Sequence, residues 1–469
     1  MIYKEEREIF NVNERILKEK EGKVEFVDFE LFKEEVVDNL VDTIVLGDDE
    51  EIKRLCYWIT YQAALKNNIF PSSIYPLYKA KAEENLPPFT TPAMNLRTLT
   101  YDLAKAVFRA AKRINAGAFI FEIAKSEIGY TCQRPLEYAN LVLLAAIKEN
   151  YQGPVFIQGD HFQAKAKNYY QDKEKELSQL KNLIKEAIEA HFYNIDVDTS
   201  TLVDLSKESI EKQQEENFKV CAYFTKFIRE IQPQGIEVTV GGEIGEIGGK
   251  NSTPQELHAF MKGYLKEIGS LKGISKMAIQ TGTTHGGVVL PDGSIARVKL
   301  DFDTLRELSK IARQDYKLAG CVQHGASTLP HQAFHHFPEV GCCEIHLATQ
   351  FQNIVYEYLP LSLKEDIYNW LRENCAQERK PDWSEDQFIY KTRKKALGPF
   401  KKEIYNLPKE LKDKISSVLE EEFLFLFEQL KIQNTKSIVE KYVQPLIVEK
   451  TKKDFLKEKE EIKDLEGAD

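Results

Sequence analysis

Five residues of types that bind metals or move protons stand where short apolar runs end. Asp160 and His161 follow Val-Phe-Ile-Gln-Gly, Glu243 follows Val-Thr-Val-Gly-Gly, His285 follows Gln-Thr-Gly-Thr-Thr, and His324 follows Cys-Val-Gln. A single histidine in such a place reads as a loop residue in its own hydrogen bond. Three, at the ends of separate runs, read as imidazoles converging on one metal, with a carboxylate beside them. Imidazole nitrogen suits zinc, and three protein ligands leave a position open for substrate. A second signal lies in the glycines: Gly286-Gly287 follows His285, and Gly325-Ala-Ser327 follows His324. Glycine lets backbone N–H groups approach an anion, and a serine hydroxyl can donate to the same oxygen, so a phosphate or carboxylate fits beside the metal.

The elements that must position these groups alternate. Apolar runs at 116–121, 154–158, 194–198, 236–240, 277–280, 319–323 and 343–347 are separated by helical patterns at 100–114, 174–190, 210–231, 254–268 and 302–312. Short runs between helices are what a parallel sheet buried on both faces requires. Seven to eight such units predict a (β/α)8 TIM barrel, in which every run ends on the rim that carries active sites. Residues 1–85 read as a charged, helical N-terminal extension, 86–400 as the barrel and 401–469 as a helical C-terminal extension. The apolar stripe at 420–427 reads as packing or a subunit interface, and the Lys/Glu tail from Lys450 as a solvated helix.

Composition narrows the partners. The chain has 469 residues and a net charge of −10, with no long basic block, which argues against nucleic acid as a partner. No run approaches about 18 apolar residues, so no spanning helix is expected. The first residues are charged and lack a secretory signal, and seven irregularly spaced cysteines form no disulfide framework; both point to the cytoplasm. Neither a GxGxxG dinucleotide turn nor a GxxxxGK[ST] phosphate loop is present. Cys342 and Cys343, near His346, read as buried strand cysteines, and Lys276 and Lys299 are unconvincing as Schiff-base lysines.

The ensemble resembles the class II metal-dependent fructose/tagatose-bisphosphate aldolases. The matching pieces, in the family's order, are Pro92-Ala-Met-Asn95, Gly159-Asp160-His161, Asp198-Thr-Ser200, Glu243-Ile-Gly-Glu-Ile-Gly-Gly249, Gly282-Thr-Thr-His-Gly286, Val298-Lys-Leu-Asp-Phe-Asp-Thr-Leu-Arg-Glu-Leu308, His324-Gly-Ala-Ser327 and Thr392-Arg393-Lys-Lys-Ala-Leu-Gly-Pro399. The resemblance implies that His161, His285 and His324 bind Zn2+, one per chain, with Glu243 as a carboxylate ligand that leaves as substrate enters. A monovalent cation is the optional second ion. It implies Asp160 as general acid/base at the C4 hydroxyl of a ketose. Gly286, Gly325 and Ser327 would hold the phosphate of dihydroxyacetone phosphate, and Asn95 would stand on the substrate side, with Ser126 as a looser match. Arg393 would meet a distal phosphate, in this family often from a neighbouring subunit, which implies a homodimer or higher homo-oligomer acting on a small sugar phosphate.

Three stretches depart from the family. Lys250 and Asn251 stand where an acidic pair usually supplies a second proton-transfer group, so either Glu246 substitutes or that step differs. Glu344-Ile-His346-Leu replaces the family's Asn-Ile-Asp-Thr. A carboxylate at 344 beside developing negative charge is unfavourable unless protonated or bound to a cation. His346 would contact an anion or serve as another acid/base group. His331, His335 and His336 read as exposed loop residues. These changes keep two alternatives open: a metal-dependent keto-sugar or keto-uronate epimerase on the same barrel, and a non-catalytic partner subunit.

Overall fold

The computed structural model describes the chain except for residues 12, 246–249, 283–286, 288, 292–295, 297–299, 457–464 and 466–469. Its centre is a closed, all-parallel ring of strands. These are β1 (Thr91–Asn95), β2 (Ile120–Ala124), β3 (Gly153–Gln163), β4 (Asn194–Asp198), β5 (Thr239–Glu243), β6 (Lys276–Ile279), β7 (Cys321–Gln323) and β8 (Glu344–Leu347). Each pairs with its neighbour, and β8 closes on β1 from Glu344↔Thr91 to Leu347↔Met94. The fold is the expected (β/α)8 TIM barrel with helical extensions.

Helices return the chain between strands, among them Thr100–Arg113, Lys173–Glu189, Glu215–Ile231, Pro254–Ile268 and Phe302–Tyr316. Local chemistry sets their starts. Thr253 caps Pro254–Ile268 and trades hydrogen bonds with Glu256, with proline in the first turn, where its missing N–H costs nothing. Asp301 accepts from Thr304 N (3.0 Å) to start Phe302–Tyr316.

One strand departs from the reading of apolar runs. Thr91–Asn95 is a full barrel strand although Pro92 interrupts it, because the Pro92 position pairs opposite Ile345 and its neighbour Thr91 N still donates to Cys343 O (3.0 Å). The N-terminal extension is helical in Val37–Leu46, Glu50–Lys66 and Tyr75–Glu83. It also holds a hairpin, Leu17–Lys20 with Lys23–Phe26, and a strand, Ile69–Ser72, that pairs with the start of β3. The C-terminal helix Lys409–Gln429 lies on Thr100–Arg113. There Arg109 Nε meets Glu420 Oε2 at 2.6 Å, and Phe427 stacks on Phe119 with centroids 5.8 Å apart. The stripe at 420–427 is therefore packing within the chain. Among the described residues, no helix is long and apolar enough to cross a membrane.

Candidate active site

The interior of this barrel is polar. Along a strand, residues two apart face the same side, and the pairs Gln158/Asp160, Asp196/Asp198 and Glu344/His346 are all buried. Buried carboxylates in parallel strands are rare unless paired, so the barrel axis must be a network of ions and hydrogen bonds.

β3 breaks the alternation where it matters. Its register against β4 slips between Gly159 and Phe162, so Asp160 and His161 form a bulge, and His161 adopts the left-handed region with φ 40°. Such a backbone costs a non-glycine residue about 1–3 kcal/mol and persists only when its surroundings hold it there. Two contacts do so. The Phe162 ring covers Gly159 so closely that a Cβ there would meet its Cζ at 2.5 Å, and His161 Nδ1 lies 3.1 Å from Asp198 Oδ2. The bulge turns consecutive side chains, Asp160 and His161, toward one cavity.

Asn95, Arg97, Glu127, Asp160, His161, His324, Gly325, Ser327, His346, Ala348 and Thr349 line that cavity, about 350 Å³ and open to solvent. The rings of His161 and His324 have centroids 4.3 Å apart, and those of His324 and His346 4.1 Å apart. Glu243 Oε2 lies 3.5 Å from His161 Nδ1. Asn95 Nδ2 donates to Asp160 Oδ2 (3.1 Å) and to Glu127 Oε2 (2.8 Å), and Glu127 in turn accepts from Arg97 Nε (2.6 Å). Ser327 Oγ accepts from Ala348 N (2.6 Å), which keeps the hydroxyl hydrogen for a second partner.

The electrostatics favour a bound cation. Burial pushes the Glu243 carboxyl well above its ordinary range, Asp198 and Asp160 add to that, and His161 opposes it. His161 is held well above the usual imidazole range: burial works against its charge, but Asp160, Asp198 and Glu243 outweigh burial. Asp160 goes the other way. Burial disfavours its charge, yet His161, His346 and His324 hold it well below the usual carboxylate range. The donors suit zinc. Ligand atoms of Asp160, His161 and His324 lie within 4.8 Å of one another, as do those of His161, Asp198 and Glu243. Asp198, oriented by Ser200 and Gln163, faces the Nδ1 edge of His161, the arrangement that fixes the tautomer of a metal-binding imidazole.

Of the residues expected from the sequence, Asn95, Asp160, His161, His324, Gly325, Ser327 and His346 meet in the cavity, and Glu243 meets His161 beside it. Glu246, His285 and Gly286 lie outside the described residues. Arg393 does not line the cavity; its guanidinium lies over the rings of Tyr356 and Tyr390, 4.9 and 4.4 Å from their centroids. Glu127 rather than Ser126 reaches the cavity wall. The unfavourable charge of Glu344 is answered by a cation from the chain itself, the ammonium of Lys276. His331 and His336 are exposed, whereas Cys342 and Cys343 are buried. The sequence reading does not single out Arg97, Glu122, Glu127, Gln158 or Asp196, and weighs Lys276 only as a Schiff-base lysine. Their signal was a charged or amide side chain inside or just beyond an otherwise apolar run.

Several solved structures are similar to this chain to different degrees. A protein of Sinorhizobium meliloti 1021 named as a probable tagatose 6 phosphate kinase is 14% identical, with a TM-score of 0.50 over 78% of this chain and 96% of that one. The YdjI aldolase of Escherichia coli K12 is 13% identical, with a TM-score of 0.47 over 77% of this chain and 98% of that one. A fructose-bisphosphate aldolase of Campylobacter jejuni is 18% identical, with a TM-score of 0.46 over 77% and 94%. At a TM-score of 0.50 and 14% identity, the likeness to the Sinorhizobium protein is one of fold. The family follows from the sequence profile of fructose-bisphosphate aldolase class-II, which matches residues 79–418. The chain belongs to that family.

Proposed function

We propose that the protein is a zinc-dependent aldolase that reversibly cleaves a phosphorylated ketose, of the fructose 1,6-bisphosphate kind, into dihydroxyacetone phosphate and an aldehyde. The observation that carries this reading is the bulge of β3, which sets an ionised carboxylate, Asp160, beside the His161–His324 pair. In the proposed reaction Asp160 takes the proton of the C4 hydroxyl. The C4 oxygen becomes the aldehyde carbonyl, and the electron pair of the broken C3–C4 bond stays on C3. His161, His285 and His324, with Glu243, would hold zinc, which would supply Lewis-acid stabilisation of that negative charge. A proton returned to C3 completes dihydroxyacetone phosphate, and Glu246 is the donor the sequence offers. Gly286, Gly325 and Ser327 hold the phosphate of this half, while Asn95 and His346 keep Asp160 aimed at C4. Arg393, presented to a second copy in a cytoplasmic homodimer, would take the distal phosphate.

The test is metal analysis of the purified protein, coupled to a fructose 1,6-bisphosphate cleavage assay with and without chelator. Stoichiometric zinc and chelator-sensitive release of triose phosphate support the reading. Zinc without cleavage of this or other phosphorylated ketoses removes the aldolase assignment, and a protein that binds no metal overturns the whole proposal.

A further inference from the structure

Beneath the cavity runs a chain of buried charges that the proposed chemistry does not use. Glu344, at the start of β8, is fully buried and has four partners. Its Oε1 accepts from Gln158 Nε2 (2.9 Å), from His346 Nε2 (2.7 Å) and from the Lys276 ammonium, and its Oε2 accepts from the Tyr78 hydroxyl. Lys276 is buried as well. Its Nζ also donates to Gln158 Oε1 (2.7 Å) and lies 2.8 Å from Asp196 Oδ1. The backbone makes room for this pairing: a Cβ on Gly241 would sit 2.3 Å from Asp196 Oδ1 and 2.9 Å from Lys276 Cε. At the other end of the chain, His346 Nδ1 lies 3.0 Å from Asp160 Oδ1.

The His346 ring thus makes its two short contacts with two carboxylates, one fixed deep in the barrel and one at the cavity, while Glu122 Oε1 stands 3.4 Å from Nδ1 and Asp196 Oδ2 3.6 Å from Nε2. A ring held at both nitrogens cannot swing without giving up both contacts. A buried carboxylate stays in place only while its countercharge and donors do. We propose that Lys276 and Glu344 are positioning residues for Asp160, acting through the ring of His346. This rests on the assignment of Asp160 as the acid/base group. Remove the ammonium, and Asp196 and Glu344 are left as neighbouring buried carboxylates without their shared cation. Glu344 must then turn or take up a proton, and the fixed end of the His346 contact goes with it.

The experiment compares zinc-loaded wild type with Lys276→Met, Glu344→Gln and the double variant, measuring zinc content, KM, kcat and crystal structures. A displacement of about 1 Å in a reacting group can cost about 10²-fold in rate, so each single variant should lose kcat on that scale while zinc content and KM stay within about twofold. The double variant should be no slower than the slower single one, because the two residues act as a unit. In the Lys276→Met crystal structure the Asp160–His346 contact should be broken or re-formed at another rotamer. A folded, zinc-loaded Lys276→Met with wild-type kcat, or with Asp160 and His346 unmoved, overturns the proposal. Should Lys276→Met not fold, Glu344→Gln, which keeps the shape and removes the charge, carries the same expectations and the same refutation. Absence of cleavage by the zinc-loaded wild type removes the aldolase reading instead, and the crystal structures then decide the positioning role alone.

Discussion

Replacing Asp160 by asparagine keeps the side chain's shape and removes its basicity, and the structure allows both consequences to be worked out. In the wild type the carboxylate accepts from two sides, His346 Nδ1 at 3.0 Å and Asn95 Nδ2 at 3.1 Å. An asparagine can serve only one of them with its single oxygen. If that oxygen faces His346, its own amide hydrogens confront those of Asn95. Asn95 cannot turn over in response, because its Nδ2 also donates to Glu127 Oε2 at 2.8 Å. One buried hydrogen bond is lost in that arrangement, at about 1–3 kcal/mol, which urea denaturation would register; with the oxygen turned to Asn95, the amide donates to His346 Nδ1 only once that nitrogen has given up its proton, so the His346 charge beside Glu344 is lost instead. The catalytic loss should be larger. A positioned general base contributes about 10²–10⁴-fold, or about 3–5 kcal/mol of barrier, so kcat for ketose phosphate cleavage should fall by that factor. Zinc content measured by atomic emission should not change, since the histidine donors stay in place. A variant that keeps kcat within about threefold of wild type while folded and metal-loaded would refute the assignment of Asp160; loss of zinc would show it to be a ligand instead.

Asp198→Ala removes the carboxylate 3.1 Å from His161 Nδ1, and zinc affinity in competition with a chelator should weaken about 10–100-fold; unchanged affinity would mean the contact does not orient the ring. Gly241→Ala drives a methyl group into Asp196 and Lys276, and thermal unfolding should show a loss of about 1–3 kcal/mol, whereas Gly235→Ala, at a loose turn, is a control for which only backbone strain at φ 83° is expected. Stability should also fall steeply at alkaline pH. Burial holds the thiols of Cys56, Cys221, Cys321, Cys342 and Cys343 far above their ordinary range. The unfolded chain loses these protons near pH 8.5 and the folded chain does not, so the folded state binds more protons and stability drops as pH rises, by about 1.4 kcal/mol per thiol per pH unit. Lys81 has the opposite sign, its ammonium pulled down to about 8 by burial, but one group offsets only one thiol. A urea midpoint that is flat or rising between pH 8.5 and 10 would refute this account.

Much of the scaffold was legible because parallel strands under a helical layer are short, mostly apolar runs between helices, and the runs ending at Gly159, Gly242 and Gln323 lie in or overlap β3, β5 and β7. The run at 116–121 begins early, since Ala116 to Phe119 approach the strand before pairing starts at Ile120. Pro92 hid β1, as proline argues against a strand in any single-sequence reading. At the site, His161, His324 and Glu243 could be read from where runs stop. Lys276 could not be assigned a role, because one lysine in a strand looks like an edge until its countercharges on β4 and β8 are known. Nor could the bulge: register is a property of two strands, and nothing within β3 alone says that Asp160 and His161 face one way. Glu344, troubling when read in isolation, becomes intelligible only beside an ammonium contributed from 68 residues away in the chain.

The hydroxyl of Tyr78 donates to Glu344 from the helix Tyr75–Glu83, while Ile74 N donates to Asn194 Oδ1 (2.9 Å) and Ser73 Oγ meets Thr239 Oγ1 at 2.9 Å. The segment before the barrel is therefore its floor. The family profile begins at residue 79, one position past the tyrosine that reaches the centre. A chain cut back to the recognisable family region would keep every residue that a comparison of catalytic motifs inspects, and still lose the closure of the barrel's lower end. What reads as an appendage in the sequence works as a foundation stone, and the boundaries of this enzyme have to be drawn around its hydrogen bonds, not around its homology.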